Sequence, residues 1–155
     1  MPVTSAGLLC YRLSDGELEV LLVHPGGPFW SGKDRGAWSI PKGETEPGED
    51  LLVSAHREFR EETGATAEGP VIALGQLRQR SGKIVHAWAV ASNFDPATLR
   101  SNEFEMEWPR GSGRLRSFPE VDGAAWFDIA EARKRMIAGQ QGFLDTLITV
   151  LGVSD

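Results

Sequence analysis

The chain has 155 residues, 41% hydrophobic and 25% charged, the make-up of one globular domain, here 1–155, long enough to bury a core. Its net charge of −6 argues against a general nucleic-acid binder, which needs a basic footprint, although metal ions can still bridge an acidic protein to a polyphosphate. Cys10 is the single cysteine, so no internal disulfide forms; with no basic leader and no apolar run near ~20 residues, a reducing, cytoplasmic setting away from membranes is expected.

Val3 to Leu13 and Glu17 to His24 read as strands joined at Ser14-Asp15-Gly16, a hairpin. Cys10 lies in Leu8-Leu9-Cys10-Tyr11, the setting of a buried strand thiol more than of a nucleophile. A long Gly/Pro-rich loop follows from 24 to 36 (HPGGPFWSGKDRG), and loops of that length in compact domains are usually functional or disordered. Trp38-Ser39-Ile40 reads as a short strand leading to Pro41-Lys42-Gly43. Pro47 and Gly48, then Glu49 and Asp50, mark a helix start, with carboxylates favouring that end of the dipole. Gly64 stands where a left-handed cap would stop it, giving a helix of roughly 14 residues.

Winding that helix at ~100° per residue puts Leu52, Ala55, Phe59 and, at the edge, Thr63 on one side. Glu58, Glu61 and Glu62 form a stripe bordering that side, with Arg57 four residues before Glu61. Like charges at i,i+4 cost ~0.2–0.5 kcal/mol on an exposed helix, and partial burial raises the cost. Either the stripe is a solvated acidic face, or a hard cation such as Mg²⁺ or Mn²⁺ offsets it. Helix geometry alone does not separate the two.

Beyond the helix, Val71 to Arg80 and Lys83 to Ser92 form a second hairpin through Ser81-Gly82. Phe94 to Arg100 is a connector with a short helical turn. Glu103 to Trp108 alternates charged and apolar residues as a half-exposed strand, and 109 to 119 (PRGSGRLRSFP) reads as an irregular basic loop. Gly123 to Phe127 is a last strand, followed by helices over 129–137 and 142–151 broken at Gly139. Two hairpins, a central helix and terminal helices predict an α+β, α/β/α sandwich with a mixed sheet between helical layers.

Gly43, five residues, Glu49, seven residues, then Arg57-Glu58-Phe59-Arg60-Glu61-Glu62-Thr63-Gly64 resembles the box of the Nudix hydrolase family at every fixed position. The weakest match is Ala65, where a larger aliphatic residue is usual. The resemblance implies the same sandwich fold. It also implies hydrolysis of a nucleoside diphosphate linked to another moiety, by water attack on phosphorus, with Mg²⁺ or Mn²⁺ as cofactor. Glu58, Glu61 and Glu62 would then be metal ligands, Arg57 would orient them, and Gly43 would permit the turn into the helix. Glu49 is either a helix-dipole carboxylate or a support for the site. Many members add one later carboxylate as ligand or base. Among Glu103, Glu105, Glu107 and Glu120, the resemblance favours Glu120 in PEVDGAAWFDIAEA; the other three alternate toward solvent.

Lys42 stands where it can touch phosphate. Arg78, Arg80 and Lys83 at the second hairpin, or Arg110, Arg114 and Arg116 before Glu120, can clamp phosphates. Trp30, in the Gly-rich loop, leans toward ligand or lid; Trp88 leans toward core, and Phe94 and Trp108 are further stacking candidates. His24 and His86 read as satisfied strand histidines, and His56 lies away from the carboxylates. Within the family, the Ser-Gln-Pro-Trp run of dinucleotide-cofactor pyrophosphatases is absent, Tyr11 is the only tyrosine, and neither Pro70 nor Pro96 is placed as in sugar-nucleotide hydrolases. WSIPKGE is similar to the diadenosine-polyphosphate branch. The expected substrate is therefore a small nucleotide, a nucleoside triphosphate or a dinucleoside polyphosphate. The alternative is a Nudix-fold module that binds nucleotides without cutting them. A homodimer is common in such folds.

Overall fold

The computed structural model describes residues 3–153, so the expected span of 1–155 runs past it at both ends. Strands β1 (Thr4–Ser14) and β2 (Glu17–Pro25) form the expected hairpin, in register from Tyr11↔Val20 to Ser14↔Glu17. Asp15 and Gly16 both carry positive φ, 51° and 81°, which is the turn whose twist matches that of the two strands. The remaining elements are β3 (Lys42–Glu44), α1 (Leu51–Thr63), β4 (Val71–Arg78), β5 (Ile84–Ala91), β6 (Glu103–Glu107), β7 (Leu115–Pro119), β8 (Val121–Asp128), α2 (Ile129–Arg135) and α3 (Gly142–Leu151).

Strands β4-β5-β1-β2-β8 lie side by side, and β3 joins β1 to complete a six-stranded sheet. The β1–β5 pair is parallel and the other pairs are antiparallel, so the sheet is mixed as expected. Alternation along β1 and β2 feeds two cores. Ala6, Leu8, Cys10 and Leu21 pack with Ala55 and Phe59 of α1 on one face. Leu9, Leu18, Val20 and Leu22 pack with Ile129, Ala132, Phe143, Leu144 and Leu147 of α2 and α3 on the other. Burying both faces is what period-2 alternation of apolar residues on both sides of a strand requires. Burial pushes the Cys10 thiol up to about 12, which keeps it an inert core group. Among the described residues no helix is long and apolar enough to cross a membrane.

Three expected elements are corrected. Trp38–Ile40 makes only single bridges, Ser39 to Val23 and Trp38 to Met136; the strand beside the helix is β3. The reason lies in β1, whose edge pairs with β2 only from Tyr11 onward and leaves Ser5 to Gly7 for Lys42–Glu44. Residues 115–119, read as loop, are β7, paired with β6 in the register Phe104↔Phe118 and Met106↔Arg116. Arginines at alternate positions hid a strand whose apolar partners come from elsewhere in the chain. Pro47 and Gly48 form a turn outside α1. The helix is capped by Asp50, whose side chain accepts from the Leu52 and Val53 N–H groups, while Gly64 (φ 81°) ends it as expected. The connector after β5 holds a 3₁₀ turn at Pro96–Thr98, and α2 ends at Arg135 because Met136 turns extended.

Candidate active site

The site begins with a glycine. Gly43 lies in β3 with its backbone in an ordinary strand conformation, so the turn expected there is not what requires it. A Cβ on Gly43 would stand 1.9 Å from Oε2 and 2.1 Å from Cδ of Glu58. The Glu58 carboxylate is seated against the bare face of β3, and only hydrogen fits between them. Glu58 is 8% exposed, and Ser54, Ala55, Phe59 and Thr63 are buried beside it along α1.

Arg57 knits the acidic groups together. Its Nε donates to Glu49 Oε2 (2.9 Å), its Nη1 to Glu58 Oε1 (2.8 Å) and Glu61 Oε2 (3.1 Å), and its Nη2 to Glu49 Oε1 (3.0 Å). The fork-to-carboxylate pairing with Glu49 draws that carboxyl down to about 2, helped by the Glu46 N–H. Glu49 precedes the cap residue, so the dipole explanation for it gives way to this clamp. Each bond fixes one oxygen and leaves the second oxygen of Glu58 and of Glu61 available.

A cavity of about 680 Å³ opens beside this network, walled by Lys42, Gly43, Arg57, Glu58, Glu62, Lys83 and Glu120, with Glu44 to Pro47 on one flank. The Lys42 N–H donates to Glu62 Oε1 at 3.3 Å. Burial pushes the Glu62 carboxyl up to about 8 against the pull of Lys42, and the same burial lowers the Lys42 ammonium against the pull of Glu62. Desolvation outweighs their attraction on both partners, so each gains by meeting a further charge of opposite sign. Burial also raises Glu58 despite Arg57, and it raises Glu120, to which Glu61 adds like-charge repulsion.

Glu120 reaches this cavity from the junction of β7 and β8. Its N–H donates to the Asn102 carbonyl (2.8 Å), and its own carbonyl accepts from the Gly26 N–H (2.9 Å). Glu103, Glu105 and Glu107 are exposed on β6, the solvent orientation expected of them. Of the basic cluster at the second hairpin, Lys83 lines the cavity, whereas Arg78 and Arg80 are exposed and stand outside it. Periodicity could not have made this distinction, because Lys83 sits past the end of β4, where strand alternation no longer reports direction. Trp30 also lies outside the cavity, at the tip of the 24–36 loop. Phe94 is a core residue against Phe59 (6.4 Å between rings), not a stacking platform. His24 is satisfied as expected, between Asp122 Oδ1 and the Lys33 carbonyl.

Glu58, Glu62 and Glu120, whose charged forms are disfavoured, and Glu61, held to Arg57 beside the cavity but not lining it, supply hard oxygen donors of the kind that suits Mg²⁺ or Mn²⁺. Among the described residues no group of three or more His, Cys, Asp or Glu side chains is arranged to hold a metal ion by itself.

The NUDIX domain family model matches residues 2–147. An RNA pyrophosphohydrolase of Caulobacter vibrioides (strain NA1000 / CB15N) is 47% identical over 53 residues, 31% of this chain and 31% of that protein. The asymmetrical bis(5′-nucleosyl)-tetraphosphatase of Caenorhabditis elegans is 40% identical over 68 residues, 44% of this chain and 45% of that one. The matched stretch therefore spans less than half of either curated relative. The fold is shared more widely. The crystal structure of a C. elegans Ap4A hydrolase binary complex superposes with a TM-score of 0.66 at 23% identity, covering 97% of this chain and 98% of that one. The family match runs through both helical layers and the sheet between them, and the chain belongs to the Nudix family.

Proposed function

We propose that this protein hydrolyses a pyrophosphate linkage in a nucleoside diphosphate derivative, a nucleoside triphosphate or a dinucleoside polyphosphate, with Mg²⁺ or Mn²⁺ as cofactor. One observation carries the reading: a single cavity gathers Glu58, Glu62 and Glu120, each disfavoured as an anion, with the ammonium groups of Lys42 and Lys83. An acidic surface for a protein partner would have no use for two half-buried lysines inside it. A phosphate chain that brings its own divalent ion matches both signs of charge. The relatives named as a tetraphosphatase and an RNA pyrophosphohydrolase support the same class of bond.

Glu58, Glu61, Glu62 and Glu120 are the residues that would hold the ion, which when bound neutralises phosphate charge and lowers the pKa of water. Arg57 keeps Glu58 and Glu61 aimed, and Gly43 allows Glu58 to sit where it does. Lys42 and Lys83 bind the phosphates and stabilise charge on the leaving oxygen. Glu120, outside the Arg57 clamp and raised by burial, takes the proton from the attacking water. No covalent intermediate is needed, because positioning and electrostatics carry phosphoryl transfer.

Glu61→Gln and Glu62→Gln should each lower turnover by roughly 10²-fold or more and leave the circular dichroism melt in place. Product release is measured over a panel of nucleotides with Mg²⁺. Near-wild-type rates in both variants would remove the catalytic assignment. Tight nucleotide binding by the wild type with no product would establish a non-catalytic module instead.

A further inference from the structure

The 24–36 loop has a defined shape with a defined neighbour. Gly26 is bolted to Glu120 through its N–H, and a Cβ there would fall 1.9 Å from the Pro119 carbonyl oxygen. Gly27 sits on the ring of Phe104, 3.0 Å from a Cβ position to Cζ. Further along, the Lys33 carbonyl is held by His24, and Asp34 accepts from Trp38 Nε1 (2.7 Å) and pairs with Arg135. Between those anchors, Phe29 (48% exposed) and Trp30 (37%) are held up to solvent. Water is a poor environment for two neighbouring large rings, and single exposed rings are more usual than a pinned pair.

The β6–β7 hairpin faces this loop. Its cross-strand register puts Phe104 beside Phe118 and Met106 beside Arg116 on one face, with Trp108 and Arg114 next in line. Phe29 meets Trp108 edge-on at 5.9 Å, the Arg110 guanidinium lies over Phe29 at 5.9 Å, and Arg116 lies over Phe118 at 5.6 Å. The opposite face carries Glu103 and Glu105. Among the described residues Arg110, Arg114 and Arg116 have no ion pair, although the whole chain carries a net −6. Three guanidiniums without a carboxylate partner, two of them lying over rings, match phosphate oxygens and a π-face together.

We propose that this slot between the 24–36 loop and the β6–β7 hairpin seats the second nucleoside of a dinucleoside polyphosphate. The proposal rests on the pyrophosphohydrolase reading above and selects within it. Distance makes the selection. At roughly 3.3 Å per strand residue, Arg116 stands on the order of 13 Å from Glu120, and Arg114 beside Trp108 on the order of 20 Å. A base joined to the cut phosphorus through one or two phosphates stops short of Arg114 and Trp108. A second nucleoside beyond several phosphates reaches them, and Arg116 lies midway, where the intervening phosphates pass. The base stacks on the exposed Phe29 ring where it meets Trp108, a contact that tolerates any base because each has a π-face.

The test compares kcat/KM for a dinucleoside tetraphosphate and for a nucleoside triphosphate, with Mg²⁺, in the wild type and in an Arg114→Ala/Arg116→Ala variant. Both side chains are exposed, so a melt should show the variant folded. The wild type should prefer the dinucleoside. The ratio of the two kcat/KM values should fall by roughly tenfold or more in the variant, the loss expected of one charge-assisted contact, with KM taking the change. Phe29→Ala should lower the same ratio. An unchanged ratio overturns the proposal, as does a wild type that prefers the triphosphate or a 5′-triphosphate RNA; in those cases the hydrolase reading stands. If the wild type cuts nothing, the hydrolase reading fails and tryptophan fluorescence decides the slot alone. Quenching by the dinucleoside tetraphosphate that weakens in the arginine variant supports it, and no quenching overturns it.

Discussion

Replacing Gly43 by alanine adds one methyl group to a strand whose backbone accepts any residue, so its whole effect must come from what the methyl meets. It meets the Glu58 carboxylate at 1.9 Å to Oε2, 2.1 Å to Cδ and 2.6 Å to Oε1. Restoring ordinary contact needs a shift of about 1.5 Å toward the ~3.5 Å separation of unstrained atoms. If β3 yields, its three-residue pairing with β1 is strained, at an overpacking cost of ~1–3 kcal/mol. If Glu58 yields, it leaves Arg57 Nη1, a charge-assisted bond of about 1.5–3 kcal/mol. Either route predicts a loss of roughly 1–3 kcal/mol, or ~2–12 °C in Tm for a chain of this size. On the proposed role of Glu58, moving its carboxylate by more than an ångström also predicts a fall of roughly 10²-fold in kcat/KM. Chemical denaturation and steady-state hydrolysis measure the two effects. The decisive comparison is a double-mutant cycle with Glu58→Ala, because Gly43→Ala should cost little once the carboxylate is gone. Equal costs of Gly43→Ala in the two backgrounds would refute the steric account.

Two further outcomes follow from the same cluster. Arg57→Ala leaves Glu58 buried without its partner and frees Glu49; with the Arg57 side chain 20% exposed, the cost should be about 2–4 kcal/mol, below that of a fully buried pair. Arg57→Lys should restore little of it in urea melts, since one ammonium cannot span Glu49, Glu58 and Glu61 as the fork does. A lysine variant as stable as the wild type would show the geometry of the fork to be unimportant. The third outcome concerns pH. Glu62 holds its proton in the folded state up to about 8, against an ordinary value of 4.5, so the folded state binds the proton more tightly than the unfolded chain. Without metal, the stability from this residue is fully present below 4.5 and declines as pH rises toward about 8. Glu62→Gln should flatten that slope, and Mg²⁺ should oppose it by supporting the charged carboxylate. Identical slopes in wild type and variant, measured by denaturant midpoints in a chelator, would exclude Glu62 as their source.

The sequence by itself determined the family and the central helix, because a local periodic pattern contains its own geometry. Asp50 to Gly64, with three glutamates at the border of an apolar face, can only wind one way once it is helical. The two hairpins, the buried thiol at Cys10 and the solvent-facing row of Glu103, Glu105 and Glu107 followed from alternation in the same way. What needed tertiary structure was everything set by a neighbour distant in the chain. Gly43 was legible as a fixed position, but its reason is the Glu58 carboxylate on another element. Strand β7 was hidden because Arg114, Arg116 and the Gly/Ser-rich run before them read as a basic loop, and only pairing with Phe104 and Met106 of β6 makes residues 115–119 a strand. Lys83 entered the cavity and Arg80 did not, because side-chain direction beyond a strand end depends on where the turn places it. The sequence left Glu49 open between a helix-dipole charge and a support for the site, and only the folded chain puts Arg57 on both of its oxygens. Local patterns fix which faces are apolar; the contacts between those faces decide which charges are brought together, and only the folded chain contains them.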